Sequence, residues 1–229
     1  APGAEYTRSE GLGVASFHAF MSGLFSSVAN KPLQADAHGL QTVTADKLAR
    51  AFQVTTANPL IGLEGRAALL RRLGEALQNR PELFGKPGRP GHLFDLLSKD
   101  GKAVQAHDVL SVLLTALSPI WPAQNAIEGI ALGDCWPLAA ARSDAPDLSD
   151  GWMPFHKLSQ WLTYSLLEPF EWAGVQVRGL DALTALPEYR NGGLLLDSGV
   201  LRLKDPESAQ RVWNPGDEII VEWRALTVA

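Results

Sequence analysis

In the run from Leu60 to Arg80, Leu63, Ala67, Leu70, Leu73 and Leu77 recur at intervals of three and four. That period puts five apolar side chains on one face of an α-helix, and the face has to be buried against other elements. The helix stops at Pro81, where a proline removes a donor and breaks the ladder. A chain built from such segments packs helix on helix, and further segments follow the same period.

Between Gly13 and Ser27, Phe17, Phe20, Met21 and Leu24 share a helical face. Thr44 is a natural N-cap for a short helix through Leu48 and Phe52, and Asn58-Pro59 punctuates the chain after it. A Gly/Pro loop from Lys86 to Phe94 feeds a short helix over Leu93 to Ser98. The run QAHDVLSVLLTALSPIW is apolar on most of its surface and reads as a buried helix. From Pro119 to Asp150 the chain is loop-rich, with Pro122, Gly129, Gly133, Pro137 and Pro146. A helix over Pro154 to Trp172, interrupted by Pro169, comes next. LLLDSGVLRLK and DEIIVEWRALTVA then read as strands joined by a turn at Asn214-Pro215-Gly216. The expected class is mainly α (α-rich α+β), with a small antiparallel β-ribbon near the C-terminus, between Leu194 and Arg224.

At 229 residues the chain is near the upper size for one hydrophobic core. One helical domain over 1–229, or two intimate halves, is expected, and 120–150 is the place for a sub-boundary. The absence of an initiator Met, and an end directly after an apolar run, suggest a fragment of a longer chain. A net charge of −5 with scattered Lys and Arg argues against a nucleic-acid partner. The single cysteine, Cys135, forms no internal disulfide and suits a reducing, cytoplasmic setting. No apolar run approaches a membrane span, so no membrane partner is expected.

The familiar phosphate, dinucleotide, serine-nucleophile and zinc motifs are absent. No metal and no cofactor are expected. Cys135 reads better as a small buried thiol than as a nucleophile. His18 and the pair Asp36 and His38 read better as structural polar groups than as metal ligands.

Two segments carry candidate chemistry. In Trp152–Glu168, Pro154 suits a first helical turn. Lys157, Gln160, Trp161, Tyr164 and Glu168 then fall on one face, with Phe155, Leu158, Leu162 and Leu166 as the expected core face. A cation, an amide, two aromatics and a carboxylate could grip a polar, ring-bearing ligand. The plainer alternative is a solvated amphipathic face, with Tyr164 hydrogen-bonded to a loop. In Leu183–Asp197, Glu188, Arg190 and Asn191 precede Gly192-Gly193, which would let the backbone run close to a ligand. An Arg can fork onto phosphate and a nearby Glu can act as a base or stabiliser. The plainer alternative is a turn with a surface Glu–Arg pair.

Five ordered blocks, GLGVASFHAFMSGLFSS, NPLIGLEGRAALLRRLG, LGDCWP, PFHKLSQWLTYSLLEP and LTALPEYRNGGLLLDSGVL, resemble the uracil-catabolism protein four family across nearly the whole chain. Members of that family often carry a His near the position of Leu138. The resemblance implies a place in a route that opens the uracil ring after uracil has been made a nucleotide. It also implies, as one role, hydrolysis of the N-glycosidic bond of a ribose-phosphate intermediate, with ribosylurea phosphate as candidate. FHKLSQWL and LTALPEYR are similar to short blocks of the queuosine-salvage nucleosidases, which cut such bonds. On this reading Glu188, then Asp197, stabilises the oxocarbenium-like state, and His156 protonates the leaving group. Lys157 and Arg190 hold the phosphate, Trp161 and Tyr164 pack on sugar or base, and Gln160 and Asn191 complete substrate binding. The alternative is a non-catalytic nucleotide-binding or scaffolding partner of the ring-opening enzyme, and a homodimer is compatible with either.

Overall fold

The computed structural model describes residues 8–99, 101, 103–122, 125–144 and 147–229. They fall into two compact units, one within residues 8–99 with 119–121, the other within residues 101–118 with 122–229.

The first unit is helical: α1 (Arg8–Met21), α2 (Ala37–Gln41), α3 (Ala45–Ala51), α4 (Leu63–Gln78), α5 (Pro81–Phe84) and α6 (His92–Leu97). Thr44 caps α3 as its sequence requires, its side chain accepting from Lys47 N. Val43, Leu48 and Ala67 are buried together, with Phe25, Phe52, Leu63 and Leu70 packed around them. The apolar face of α4 is therefore the buried one. The Asp36 carboxylate caps α2 and ties down the preceding loop: Gly39 N donates to Oδ1, while Ser27 N and Gln34 Nε2 donate to Oδ2. Burial alone would push its carboxyl up, but those hydrogen bonds outweigh burial and hold it below the usual range.

The second unit begins with β1 (Ala103–Gln105) and the apolar helix α7 (Ala106–Leu117), which buries Val109, Leu113 and Ala116. Short strands follow: β2 (Ala126–Ile127) against β3 (Ile130–Ala131), then β4 (Cys135–Pro137) against β5 (Trp152–Pro154), both antiparallel. Next come α8 (Lys157–Trp172), β6 (Gln176–Arg178), α9 (Tyr189–Asp197) and α10 (Glu218–Val228). β6 pairs with β1 in parallel register, Val104 opposite Val177. Leu138, Phe155 and Val221 form a buried cluster, with Trp136, Met153 and Ala225 packed against it. No helix among the described residues is long and apolar enough to cross a membrane.

The mainly helical class with small antiparallel sheets is as the sequence implies, but other residues form the sheets. The antiparallel pairs lie at 126–131 and 135–154; β2, β3 and β4 fall inside the stretch read as loop, and β5 directly follows it. Within that stretch Pro146 lies outside the described residues. Of the segments read as C-terminal strands, LLLD closes α9, SGVLRLK after it is turn and loop, and DEIIVEWRALTVA is α10. Ile219, Ile220 and Val221 have β-strand propensity, yet Val221 and Arg224, three apart, are buried on one helical face. Packing against Leu138 and Phe155 overrides local preference. The Asn214 turn is real, and it leads into a helix: Asp217 N donates to Asn214 O, and Asn214 N donates back to Asp217 Oδ2.

The helix α8 also begins later than its sequence suggests, because Pro154 belongs to β5. Pro169 stays within its last turns. Its core face is Ser159, Gln160, Thr163, Leu167 and Phe170, whereas Leu158 and Leu162 are exposed. Small polar residues can be buried there because their hydrogen bonds are met: Thr163 Oγ1 donates to Ser159 O, and Gln160 Nε2 donates to Phe155 O.

Candidate functional site

Helices α8 and α9 both start at the same place in the second unit. His156 is the N-cap of α8 and Glu188 that of α9, and neither residue caps its helix with its own side chain. Lys157 Nζ lies 2.6 Å from Glu188 Oε2, with the two side chains 19% and 31% exposed. The N-cap of α9 thus carries a carboxylate that the side chain of the first residue of α8 reaches. The Lys157 hydrogen bond and charge hold the Glu188 carboxyl below its ordinary range, with help from the backbone and charge of Arg190. Glu188 stays ionised at neutral pH, as a group that stabilises a cation must.

The sequence-derived candidates are distributed around this pair. Arg190 and Asn191 are exposed on the first turn of α9. Gln160 and Tyr164 point toward the chain entering α9, where Tyr164 Oη donates to Thr184 O (2.9 Å) and Thr184 Oγ1 donates to Gln160 Oε1 (2.7 Å). These two residues thus brace the loop that delivers Glu188, and their polar groups are already engaged. Trp161 is exposed on α8 beside them. Asp197 sits at the far end of α9, eight residues beyond Tyr189, roughly 12 Å along the axis at 1.5 Å per residue. It does not join the Lys157–Glu188 pair.

Gly192 and Gly193 are not a flexible approach to a ligand; both lie inside α9. A Cβ on Gly192 would come within 2.5 Å of Trp223 Nε1, so this glycine lets α10 press against α9. Tyr189 and Trp223 continue the contact, with ring centroids 5.4 Å apart.

His156 adopts a left-handed backbone, φ 43° and ψ 40°, a conformation a non-glycine residue takes only under constraint. Its constraint is Asp134, whose backbone oxygen accepts from Phe155 N (2.9 Å) and His156 N (3.0 Å). Burial pushes the His156 imidazole down from its ordinary value, and the Asp134 charge pulls part of it back. Cys135, next to Asp134, is buried, and burial and the same charge push its thiol up, which keeps it protonated.

The residues that sequence reasoning missed are Asp134 and Arg224. Arg224 Nη1 and Nη2 lie 2.8 Å from Asp134 Oδ1 and Oδ2 in a two-pronged pair, and Trp136 Nε1 donates to Oδ1 at 2.8 Å. Burial raises the Asp134 carboxyl, but the Arg224 and Trp136 hydrogen bonds and the Arg224 charge outweigh it and hold it low. The available signals were an aspartate inside the LGDCWP block and one arginine inside the apolar run of α10.

Fold and site together define a mainly helical protein with a half-buried Lys–Glu pair at the meeting of two helix starts. The chain belongs to the family described as "Protein of unknown function (DUF1688)", which matches residues 1–229. It is 46% identical over 227 residues to Protein urg3 of Schizosaccharomyces pombe, covering 97% of this chain and 53% of that protein. It is 41% identical over 249 residues to Uracil catabolism protein 4 of Lachancea kluyveri, covering 97% of this chain and 57% of that protein. The chain thus spans about half the length of these relatives. No solved structure matches it.

Proposed function

We propose that this protein serves uracil catabolism by hydrolysing the N-glycosidic bond of a ribose-phosphate intermediate, with ribosylurea phosphate as candidate substrate. The name of one relative, Uracil catabolism protein 4, supports the pathway. The observation that carries the reaction class is the Lys157–Glu188 contact, with Arg190 on the first turn of α9.

Cleavage of a C–N glycosidic bond builds positive charge on the sugar ring, and an ionised carboxylate at the anomeric carbon stabilises it. Glu188 is held ionised for that task. Water adding to so strong an electrophile becomes strongly acidic, so even a weakly basic carboxylate takes its proton. The leaving urea nitrogen carries away the bonding pair and takes a proton from His156. Solvent then reprotonates His156 and removes the proton from Glu188, and water has been consumed in a balanced hydrolysis. Lys157 and Arg190 supply positive charge for the 5′-phosphate, with Asn191 beside them as a donor. Trp161, exposed on α8, offers a face for packing on the sugar or base.

The test is to incubate the purified protein with authentic ribosylurea phosphate and follow free urea and ribose 5-phosphate. Stoichiometric release of both is the expected result. Tight binding of the substrate without release of either would favour a nucleotide-binding or scaffolding partner instead.

A further inference from the structure

We propose that Asp134 and Arg224 are positioning residues that hold Lys157 and Glu188 in their working geometry; the consequence for turnover rests on the hydrolase reading above. Every acceptor position of the Asp134 carboxylate that the fold can reach is used. Oδ1 takes Trp136 Nε1 and Arg224 Nη1, and Oδ2 takes Arg224 Nη2 at 2.8 Å and the backbone N–H of Lys157 at 3.2 Å. With the two bonds to its backbone oxygen, Asp134 grips residues 155, 156 and 157 in succession. It thereby fixes the left-handed turn from which the Lys157 side chain leaves.

Arg224 reaches both sides of the pair. Its guanidinium lies 4.1 Å from the centroid of Phe155, two residues before Lys157, and 5.7 Å from that of Tyr189, the residue after Glu188. The start of α8 and the start of α9 are thus referred to one planar cation. Arg224 is only 5% exposed, and its Nε is buried without a hydrogen-bond partner. A buried ion pair is a poor device for stability, since apolar residues of like volume often serve as well or better. A fixed, forked, planar contact does give orientation, which is what two groups meeting at 2.6 Å require.

The experiment follows the Glu188 carboxylate by carbon-detected NMR titration in the wild type and in Asp134→Asn, alongside urea release. Removing the Asp134 charge and leaving Arg224 unneutralised would by through-space electrostatics move the Glu188 midpoint down. If Asp134 positions Lys157, its loss slackens the pair and the midpoint moves up, so the sign separates the two. The expected result is an upward midpoint with kcat lowered at least tenfold, together with a rise in KM because Lys157 also meets the phosphate. Should Asp134→Asn not fold, Trp136→Phe removes a single hydrogen bond from the same carboxylate and is expected to shift the midpoint the same way, by less. A folded variant with an unchanged or lower Glu188 midpoint overturns the proposal, whatever its stability. A raised midpoint in a protein whose wild type releases no urea supports the positioning and overturns the hydrolase reading instead.

Discussion

Lys157 Nζ and Glu188 Oε2 stand 2.6 Å apart, each carried by the opening turn of its own helix. Arg190, two residues past Glu188, is exposed and free to meet an anion. A phosphate away from the reacting bond is held about equally in the ground and transition states, so its loss appears in KM. Arg190→Ala is expected to raise KM about 10- to 100-fold, the worth of a hydrogen bond to a charged group, with kcat nearly unchanged. A fall in kcat at constant KM, from initial rates of urea release, would move Arg190 into the chemical step.

The pH dependence of stability has two windows with one sign. His156 has a folded pKa below its ordinary value of 6.5, so the unfolded chain binds more protons. Its contribution is complete above about pH 6.5 and is lost as the pH falls toward the folded value. Asp134 and Glu188 are also held low, so their contributions are present above the ordinary carboxylate range and are lost below it. Urea unfolding from pH 8 to pH 3 should show stability falling in both windows, and Asp134→Asn should flatten the lower one. Stability that increased from pH 7 to pH 5.5 would contradict the His156 assignment.

Activity gives an independent reading of His156. If its imidazolium protonates the leaving nitrogen, the protonated fraction limits turnover above its lowered pKa. Log kcat should therefore decline as pH rises from 6 to 8, and His156→Gln should remove most of that slope. A flat profile in the wild type would take His156 out of the proton transfer.

Two adjacent glycines in α9 should respond oppositely to alanine. At Gly192 the added Cβ meets the Trp223 indole at 2.5 Å, whereas at Gly193 it meets nothing within 4 Å. Gly193→Ala is expected to be neutral or to stabilise by up to about 1 kcal/mol through helix propensity. Gly192→Ala is expected to cost about 1–3 kcal/mol, because the indole or α9 must shift. Thermal or denaturant unfolding of the two variants checks the contrast, and equal effects would show that α9 and α10 do not pack this closely.

Much of the helical frame was legible in local pattern. The Thr44 cap and the apolar faces of α4 and α7 follow from a few neighbouring residues, and tertiary packing agrees with them. The face of α8 was misjudged because Gln160 and Thr163 are buried with their polar groups satisfied, a state no hydropathy pattern announces. The last helix, α10, was misread because the β-branched run Ile219–Val221 carries a strand signal that packing overrules. Lys157 and Glu188 could be proposed from their segments, and their meeting is a tertiary fact. Asp134 and Arg224 are 90 residues apart in the chain, and nothing local to either sequence pairs them.

The most direct test of the central claim is Glu188→Gln on ribosylurea phosphate. The amide keeps the shape and can still meet Lys157 as a neutral acceptor, so the fold should survive, with a stability change of about 0–1 kcal/mol. What it loses is the negative charge facing the developing cation, an interaction stronger in the transition state than in the ground state. The account predicts a fall in kcat on the order of 10²–10³ with KM changed only a few-fold. A kcat within twofold of wild type would contradict it, and would leave the Lys157–Glu188 contact as a structural ion pair.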